Sequence, residues 1–88
     1  MKRRGGYRVY IVRCADGTYY TGLTNDLAHR LAVHNNGHGA KYVRGRGPVK
    51  VVYVKAYASY ASALRAECRL KKRSRAEKEA LIRGSRRA

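Results

Sequence analysis

Four side chains that could carry chemistry lie at regular spacing in the first third of the chain. Tyr10 is followed ten residues later by Tyr20, Arg30 comes after ten more, and His34 lies one helical turn beyond it. Phenols and imidazoles transfer protons, and a guanidinium binds anions. Each has a purely structural alternative: the tyrosines could be core aromatics of strands, Arg30 a solvated helix residue, and His34 a residue stabilised by the helix dipole.

Glu67 is a fifth candidate, because the chain has only five acidic residues. Together with Leu64, Cys68 and Lys71 it follows the i, i+3, i+4, i+7 pattern, which predicts that it lies at the edge of the helix face meeting the sheet. A carboxylate there, in a chain of net charge +16, suggests a ligand for a hard cation. A surface ion pair with Lys71, four residues on, would account for it equally well.

The tyrosines can act together only if the strands that carry them pair in one register. Residues 7–14 and 18–22 are rich in β-branched and aromatic side chains and predict a hairpin. A two-residue turn would put the two phenols on opposite faces. A three-residue loop with Gly17 in the left-handed conformation pairs Tyr10 with Gly22 and puts both phenols on one face, roughly 7–8 Å apart as diagonal neighbours. We predict the three-residue loop.

The rest of the chain predicts three helices and one more strand. The first helix is capped within Thr24-Asn25-Asp26 and runs to about Asn36, and a strand follows at 49–57. The second helix is capped by Ser59 or Ser62 and continues to about Lys72. A short last helix is opened by a Ser74-to-Glu77 capping box and ends near Gly84. The prediction is one α+β domain over 1–88, with a three-stranded antiparallel sheet, a core at about 7–82 and flexible basic ends at 1–6 and 84–88.

The charge indicates the class of partner. Lys and Arg number 21 against five acids, so a densely negative partner is expected, and nucleic acid is the commonest. A membrane-surface role is disfavoured, because no helix pairs a basic face with a broad apolar face. No apolar run is long enough to span a membrane. Two cysteines without a CxxC motif suggest a reduced, cytoplasmic protein. The predicted nucleic-acid contacts are Lys41, Tyr42, Arg44, Arg46, Lys71 and Lys72.

In this order and at these spacings, the candidate residues resemble the GIY-YIG endonuclease superfamily. The resemblance is strongest to its small single-domain bacterial branch, which is similar to the nuclease domain of Slx-type structure-specific nucleases. Arg8-Val9-Tyr10 stands where the family has Gly-Ile-Tyr, and Tyr20-Thr21-Gly22 where it has Tyr-Ile-Gly. The family arginine falls on Arg30, its His or Tyr on His34, and its metal-binding glutamate on Glu67. No single triplet is specific, but the ordered set is.

The resemblance implies a metal-dependent endonuclease that hydrolyses DNA, with branched or flapped DNA and DNA repair as its setting. Glu67 would bind one Mg²⁺ or Mn²⁺ ion, and Arg30 would bind the scissile phosphate. In the family's usual account Tyr10 would take a proton from water and Tyr20 would orient water or phosphate, although either tyrosine could be the base. His34 would relay the proton or bond a phosphate oxygen. Since free tyrosine has a pKa of about 10, we expect neighbouring cations to lower it. Relatives of the Slx type also work with a regulatory protein partner.

Of two departures from the family pattern, the first affects only the match to the name of the motif, and the second keeps another function open. Arg8 replaces the first glycine, and no asparagine follows Asn36, although many catalytic members have one late in the domain. The alternative is therefore a catalytically idle nucleic-acid-binding module on the same fold. A basic RNA- or ribosome-associated protein without nuclease ancestry is a third hypothesis, for which charge would be the only requirement.

Overall fold

A computed structural model describes residues 6–38 and 43–87. Lys41 and Tyr42, two of the predicted nucleic-acid contacts, lie outside the described residues, as do residues 1–5. The elements in chain order are β1 (Tyr7–Arg13), β2 (Tyr19–Thr24), α1 (Leu27–Asn35), β3 (Lys50–Tyr57), α2 (Tyr60–Lys71) and α3 (Arg75–Arg87). This order confirms the predicted α+β fold of hairpin, helix, strand and two C-terminal helices.

The hairpin between β1 and β2 has the predicted three-residue loop. The Cys14 N–H donates to the Thr18 carbonyl at 2.8 Å, and the Gly17 N–H donates to the Cys14 carbonyl at 2.9 Å. Gly17 has a φ of +88°, a conformation that costs a residue with a side chain roughly 1–2 kcal/mol. The Asp16 carboxylate accepts hydrogen bonds from the backbone and hydroxyl of Thr18, at 3.1 and 2.6 Å, which fixes the turn.

This loop sets the register that the candidate site requires. Tyr10 pairs with Gly22, and Val12 pairs with Tyr20. Because side chains alternate along a strand, Tyr10 and Tyr20 project from the same face of the sheet, as predicted. A one-residue slip would have separated them.

The sheet is antiparallel with the order β2-β1-β3, so β1 is central and both of its faces are covered. The helices α2 and α3 pack on one face, and α1 with the loop that follows it packs on the other. The buried residues of the first layer are Val9, Ile11, Ala63, Ala66, Leu70 and Ile82, and those of the second are Tyr10, Val12, Cys14, Val43 and Val49. Tyr10 is therefore both a core residue and a candidate for chemistry.

The ends of α1 and α2 follow the predicted chemistry with small differences. Asp26 caps α1, accepting from the His29 N–H at 3.1 Å, but its first turn contains no acid because Asp26 precedes it. Of the two serines considered for α2, Ser59 is the cap.

The last helix is longer than predicted. The Ser74 hydroxyl accepts from the Glu77 N–H at 3.1 Å, and the Ser74 N–H donates to the Glu77 carboxylate at 2.9 Å, so the capping box is formed. The predicted end near Gly84 is wrong, because α3 continues through this glycine to Arg87. A helical glycine costs only about 1 kcal/mol relative to alanine, which is insufficient to end a helix.

The buried face of α2 also differs from the prediction. Ala63, Ala66 and Leu70 pack against the sheet, whereas Leu64 and Cys68 are exposed. The i, i+3, i+7 stripe is thus displaced by one position, because small alanines allow the helix to approach the sheet closely. Glu67 still flanks the buried stripe, as predicted, but from its other side.

Within the described ranges, no helix is long and apolar enough to cross a membrane. Cys14 and Cys68 are free thiols, the first buried and the second exposed.

Candidate active site

The Tyr10 side chain crosses the edge strand β2 at Gly22. A Cβ atom added to Gly22 would collide with the hydroxyl and the ring of Tyr10, so the phenol occupies the space that the missing side chain leaves. Tyr10 is only 1% exposed. Its hydroxyl lies 3.1 Å from Nε2 of His34. The hairpin register and the glycine together bring the phenol to a histidine 24 residues later in the chain.

His34 lies in the last turn of α1 and is buried, with 1% of its surface exposed. The Tyr20 ring packs edge-on against the imidazole, with ring centres 5.7 Å apart and an interplanar angle of 70°. In the part of the chain that the structure describes, Nδ1 of His34 has no hydrogen-bond partner. Burial lowers the pKa of His34, and the positive charge of Arg30 lowers it further. The imidazole is therefore neutral at pH 7.

The pKa of the Tyr10 hydroxyl is influenced by three of the other candidate residues. Its pKa is raised to about 12, mainly by burial; the nearby Tyr20 and Glu67 raise it too, while Arg30 opposes them. The expectation that surrounding cations lower the pKa of the catalytic tyrosine is wrong for Tyr10 in this structure. The physical reason is that desolvation of the phenolate outweighs the single nearby guanidinium.

Arg30 is exposed on α1, one helical turn before His34. The i, i+4 spacing puts both residues on one stripe of the helix, which was the prediction. Its charge acts on Tyr10 and on His34 alike, so an exposed guanidinium lies near these two buried side chains. A phosphate could reach it without entering the core.

The position of Glu67 is compatible with both interpretations that the sequence left open, a metal ligand and a surface ion pair with Lys71. Its side chain is 15% exposed, and its carboxylate lies 3.4 Å from the Lys71 ammonium, which is the predicted surface pair. The same carboxylate is near enough to Tyr10 to raise the pKa of the phenol. Both relations hold at once, and Lys71, whose side chain is 53% exposed, is free to move away from an incoming ligand.

The other four acids of the chain have structural partners. Asp16 holds the hairpin turn and pairs with Arg46, and Asp26 caps α1. Glu77 closes the capping box of α3, and Glu79 binds Arg75 at 3.1 Å. Glu67 closes no turn and caps no helix, so the fold does not explain its presence beyond one exposed ion pair.

The donor set fits one Mg²⁺ ion bound largely through water. No group of three or more His, Cys, Asp or Glu side chains able to hold a metal occurs among residues 6–38 and 43–87. Mg²⁺ is commonly bound through one or two carboxylates plus substrate phosphate, and it keeps several waters. A partly exposed carboxylate beside a buried phenol meets that requirement, whereas a zinc-like site would need more protein ligands.

The structure describes four of the six predicted nucleic-acid contacts: Arg44, Arg46, Lys71 and Lys72. Arg46 donates to Asp16 at 2.8 Å and its carbonyl accepts from the Ala15 N–H, which ties the loop after α1 to the hairpin turn. Arg44 is exposed on the same loop. Lys71 and Lys72 are exposed at the end of α2. Contact of these residues with nucleic acid stays a prediction.

Two residues without a predicted role support the site. Asn35 accepts a hydrogen bond from the buried Val49 N–H at 2.7 Å and thereby connects the end of α1 to the start of β3. Lys78 of α3 donates to the Thr21 hydroxyl at 3.1 Å, and its pKa is lowered by burial and by Lys71. No periodic signal marks either residue, because each bond joins elements distant in sequence.

The match to known proteins covers the elements that build this site. Residues 6–80 match the GIY-YIG catalytic domain, and the chain belongs to the GIY-YIG family. It is 52% identical over 76 residues to a UPF0213 protein of Halobacterium salinarum, covering 86% of this chain and 99% of that protein. It is 53% identical over 74 residues to a UPF0213 protein of Oceanobacillus iheyensis, covering 84% and 86% of the two chains.

Two solution NMR structures share the fold. A UPF0213 protein of Bacillus halodurans is 45% identical, with a TM-score of 0.57 over 88% of this chain and 82% of that one. A protein of E. faecalis is 32% identical, with a TM-score of 0.64 over 96% of this chain and 90% of that one. The recognised family and the small three-stranded fold are thus confirmed.

Proposed function

We propose that this protein is a metal-dependent endonuclease that hydrolyses phosphodiester bonds of DNA, with branched or flapped DNA as candidate substrates. One observation carries the proposal: the electrostatic influence of Tyr20, Arg30 and Glu67 converges on the Tyr10 hydroxyl, which is bonded to His34. Packing alone gives no reason for a core tyrosine to bond a buried histidine within the electrostatic influence of an arginine and a glutamate.

Hydrolysis of a phosphodiester requires an activated water, neutralisation of the phosphate and help for the departing 3′ oxygen. Glu67 would hold one Mg²⁺ or Mn²⁺ ion, which when bound neutralises the phosphate and assists the leaving oxygen. The exposed Arg30 would bind the scissile phosphate through its paired N–H groups. With these roles given to Glu67 and Arg30, proton transfer is left to the buried pair of Tyr10 and His34.

Tyr10 and His34 would act as one proton-transfer unit. A phenol with a pKa of about 12 is protonated at neutral pH, so it can accept a proton from water only if it passes its own proton on. Neutral His34, 3.1 Å away, is the acceptor. The negative phosphate beside Arg30 would offset the charge that otherwise disfavours a protonated imidazole. Tyr20 would orient the water or a phosphate oxygen.

The idle binding module remains the second candidate, and a specific observation favours it. The raised pKa of Tyr10 is the opposite of what an independent base needs, and the chain has no asparagine after Asn36. In that case the basic surface would bind nucleic acid without cutting it. A cytoplasmic location, a regulatory protein partner and a role in DNA repair belong to the nuclease proposal, as does the treatment of residues 1–88 as a single domain with its core at about 7–82.

The experiment compares cleavage and affinity in the same variants. Wild type, Glu67→Gln and Arg30→Ala are incubated with supercoiled plasmid and with a branched oligonucleotide, in Mg²⁺, in Mn²⁺ or in EDTA. We expect metal-dependent nicking by wild type, and a loss of at least a hundredfold in both variants. Glu67→Gln keeps its DNA affinity, because the substitution removes a negative charge from a basic protein.

Glu79→Gln is the matched control, since it removes an acid whose partners, Arg75 and Tyr19, lie outside the site. It should nick at close to the wild-type rate. Cleavage by Glu67→Gln at the wild-type rate would overturn the assignment of the metal ligand. Binding that falls steeply with salt, with no cleavage under any metal condition, would establish the binding module instead.

A further inference from the structure

A second basic site lies at the opposite edge of the sheet from the candidate active site. A cleft of about 210 Å³ opens between β3 and the helices α2 and α3. We call it the rear cleft, and its lining residues used below are Lys55, Tyr53, Tyr57, Arg69 and Arg73. The phenol of Tyr10 reaches over β2 on the other sheet face, so β1 separates the two sites.

The charge of the rear cleft is unbalanced. Lys55, Arg69 and Arg73 line it together, and none of the residues that line it is acidic. Three cations around one cavity repel one another, so the arrangement favours an anion within it. Arg69 lies in the last turn of α2 and Arg73 follows the end of that helix; both are exposed, so a phosphate can reach them without entering the core.

Two half-buried aromatic rings add a second kind of contact. Tyr53 and Tyr57 project from β3 into the rear cleft, and the Lys55 ammonium lies 5.7 Å from the centre of the Tyr57 ring. A base stacked near this ring would therefore lie beside a cation able to reach its phosphate. Aromatic rings next to cations are the usual means of binding single strands, whose bases are accessible for stacking.

The volume of the rear cleft argues against a free small molecule. Pockets that enclose drug-sized ligands measure about 300–1,000 Å³, and this cleft is smaller. It can hold one unit of a polymer that continues outside it. A duplex would keep its bases stacked and inaccessible, whereas a single strand could turn one base into the cleft.

We propose that the rear cleft binds a nucleotide of a single-stranded nucleic-acid segment, with its phosphates on Arg69, Arg73 and Lys55 and its base against Tyr57. The proposal deepens the proposed function and rests on it for the identity of the ligand as nucleic acid. A substrate engaged at both edges of the sheet would carry a single-stranded segment beside the duplex that is cut.

The test measures binding without cleavage, in the Glu67→Gln background with EDTA. The probes are a fluorescein-labelled thymidine 12-mer and an abasic 12-mer with the same phosphates. Arg69→Gln/Arg73→Gln should weaken binding of the thymidine strand at least tenfold, and should reduce the slope of log K against log salt by about 1.4, for two lost phosphate contacts. Tyr57→Leu should weaken binding of the thymidine strand about tenfold and leave the abasic strand within twofold.

Arg65→Gln/Arg83→Gln is the control, because it removes the same charge from exposed arginines of α2 and α3 that do not line the rear cleft. This double variant should weaken binding of the thymidine strand less than threefold. Equal losses in the two double variants, or equal wild-type affinity for thymidine and abasic strands, would overturn the proposal. If Tyr57→Leu does not fold, the comparison between the two double arginine variants still tests the proposal. If the wild-type protein cleaves no DNA while these differences in binding are observed, the nuclease proposal is wrong and the proposal for the rear cleft stands.

Discussion

At the level of single residues, Gly22 determines where the Tyr10 hydroxyl can lie. The phenol passes over the glycine and ends 3.1 Å from His34, in a space that any side chain would fill. Tyr10 cannot turn aside cheaply, because it is buried and its hydroxyl is bonded to a buried imidazole. The glycine is needed for a close approach of a side chain, not for its backbone conformation.

Replacing Gly22 by alanine should therefore damage both stability and chemistry. We expect Gly22→Ala to lower the free energy of unfolding by about 1–3 kcal/mol, the usual cost of overpacking, and to reduce nicking by displacing the phenol. Urea unfolding and the plasmid assay measure the two effects. Gly84→Ala is the control: nothing lies within 4 Å of its added Cβ, and it should stabilise α3 by up to about 1 kcal/mol. An unchanged stability in Gly22→Ala would contradict the close approach.

The pKa of Tyr10 gives a prediction about alkaline pH. The folded protein raises this pKa from 10.0 to about 12, so between these values the folded state binds more protons than the unfolded chain. The corresponding stability, about 2–3 kcal/mol, is fully present below pH 10 and is lost as the pH rises towards 12. We expect the unfolding free energy of wild type to fall relative to that of Tyr10→Phe between pH 9.5 and 11.5.

Tyr60→Phe serves as the control for alkaline pH, because Tyr60 is 51% exposed. Its unfolding free energy should follow the wild-type curve over the same range. Parallel curves for wild type and Tyr10→Phe would show that the phenol ionises in the folded protein as it does in water. The Tyr10 phenol would then not be desolvated in the folded protein, and the proposed proton relay to His34 would lose the buried environment that it requires.

Residue chemistry could be read from the sequence only in part. The full ordered set of candidate residues, Glu67 included, was sufficient to identify the family, because its spacing reflects the hairpin and the helices that carry these residues. The pKa of Tyr10 could not be predicted, since a sequence shows the number of cations but not the desolvation that opposes them. Surplus positive charge on the surface does little for a phenol that is buried in the core.

At the level of elements, the site depends on the junction between α1 and β3. His34 is the residue before Asn35, and the Asn35 carboxamide accepts from the Val49 N–H at 2.7 Å. Val49 is buried, so its amide has little access to water if this partner is lost. The asparagine thus fixes the end of the helix that carries His34 against the third strand.

Asn35→Ala should cost about 1–3 kcal/mol, the penalty for leaving a buried backbone donor unpaired. It should also reduce nicking, because the last turn of α1 loses its attachment to β3. The adjacent Asn36→Ala is a matched control, since Asn36 caps the helix through its backbone N–H. It should stay within about 0.5 kcal/mol of wild type in urea unfolding, as surface substitutions do. Equal costs for the two variants would contradict the anchoring role of Asn35.

The elements differ in how well the sequence predicted them, for physical reasons. The hairpin was correct in length and register because Asp16 and Gly17 specify the turn locally. The buried face of α2 was displaced by one position, because its stripe consists of alanines and the leucine at position 64 is exposed. Short side chains carry a weak hydrophobic signal, so contact with the sheet decided the orientation and the sequence pattern did not.

At the level of the whole molecule, the charge of +16 sets the strength of binding and its dependence on salt. Of the four acids other than Glu67, three lie at a turn or the start of a helix and Glu79 pairs with Arg75 within α3, so basic residues far outnumber acids over the surface. This distribution favours contact with phosphates on more than one side of the protein. It agrees with a rear cleft whose cations lie across the sheet from Arg30.

Affinity for duplex DNA should consequently fall steeply with salt. Duplex DNA carries one charge per about 1.7 Å, so the longest dimension of the protein, 33 Å, spans roughly 19 phosphates. If about a third of them meet a basic side chain, the slope of log K against log salt is near −6, which is a loss of roughly three thousandfold between 50 and 200 mM. Fluorescence anisotropy with a blunt duplex measures this slope. A slope weaker than about −2 would mean that the surplus charge contacts few phosphates, and the nucleic-acid interface would then be confined to Arg30 and its immediate neighbours.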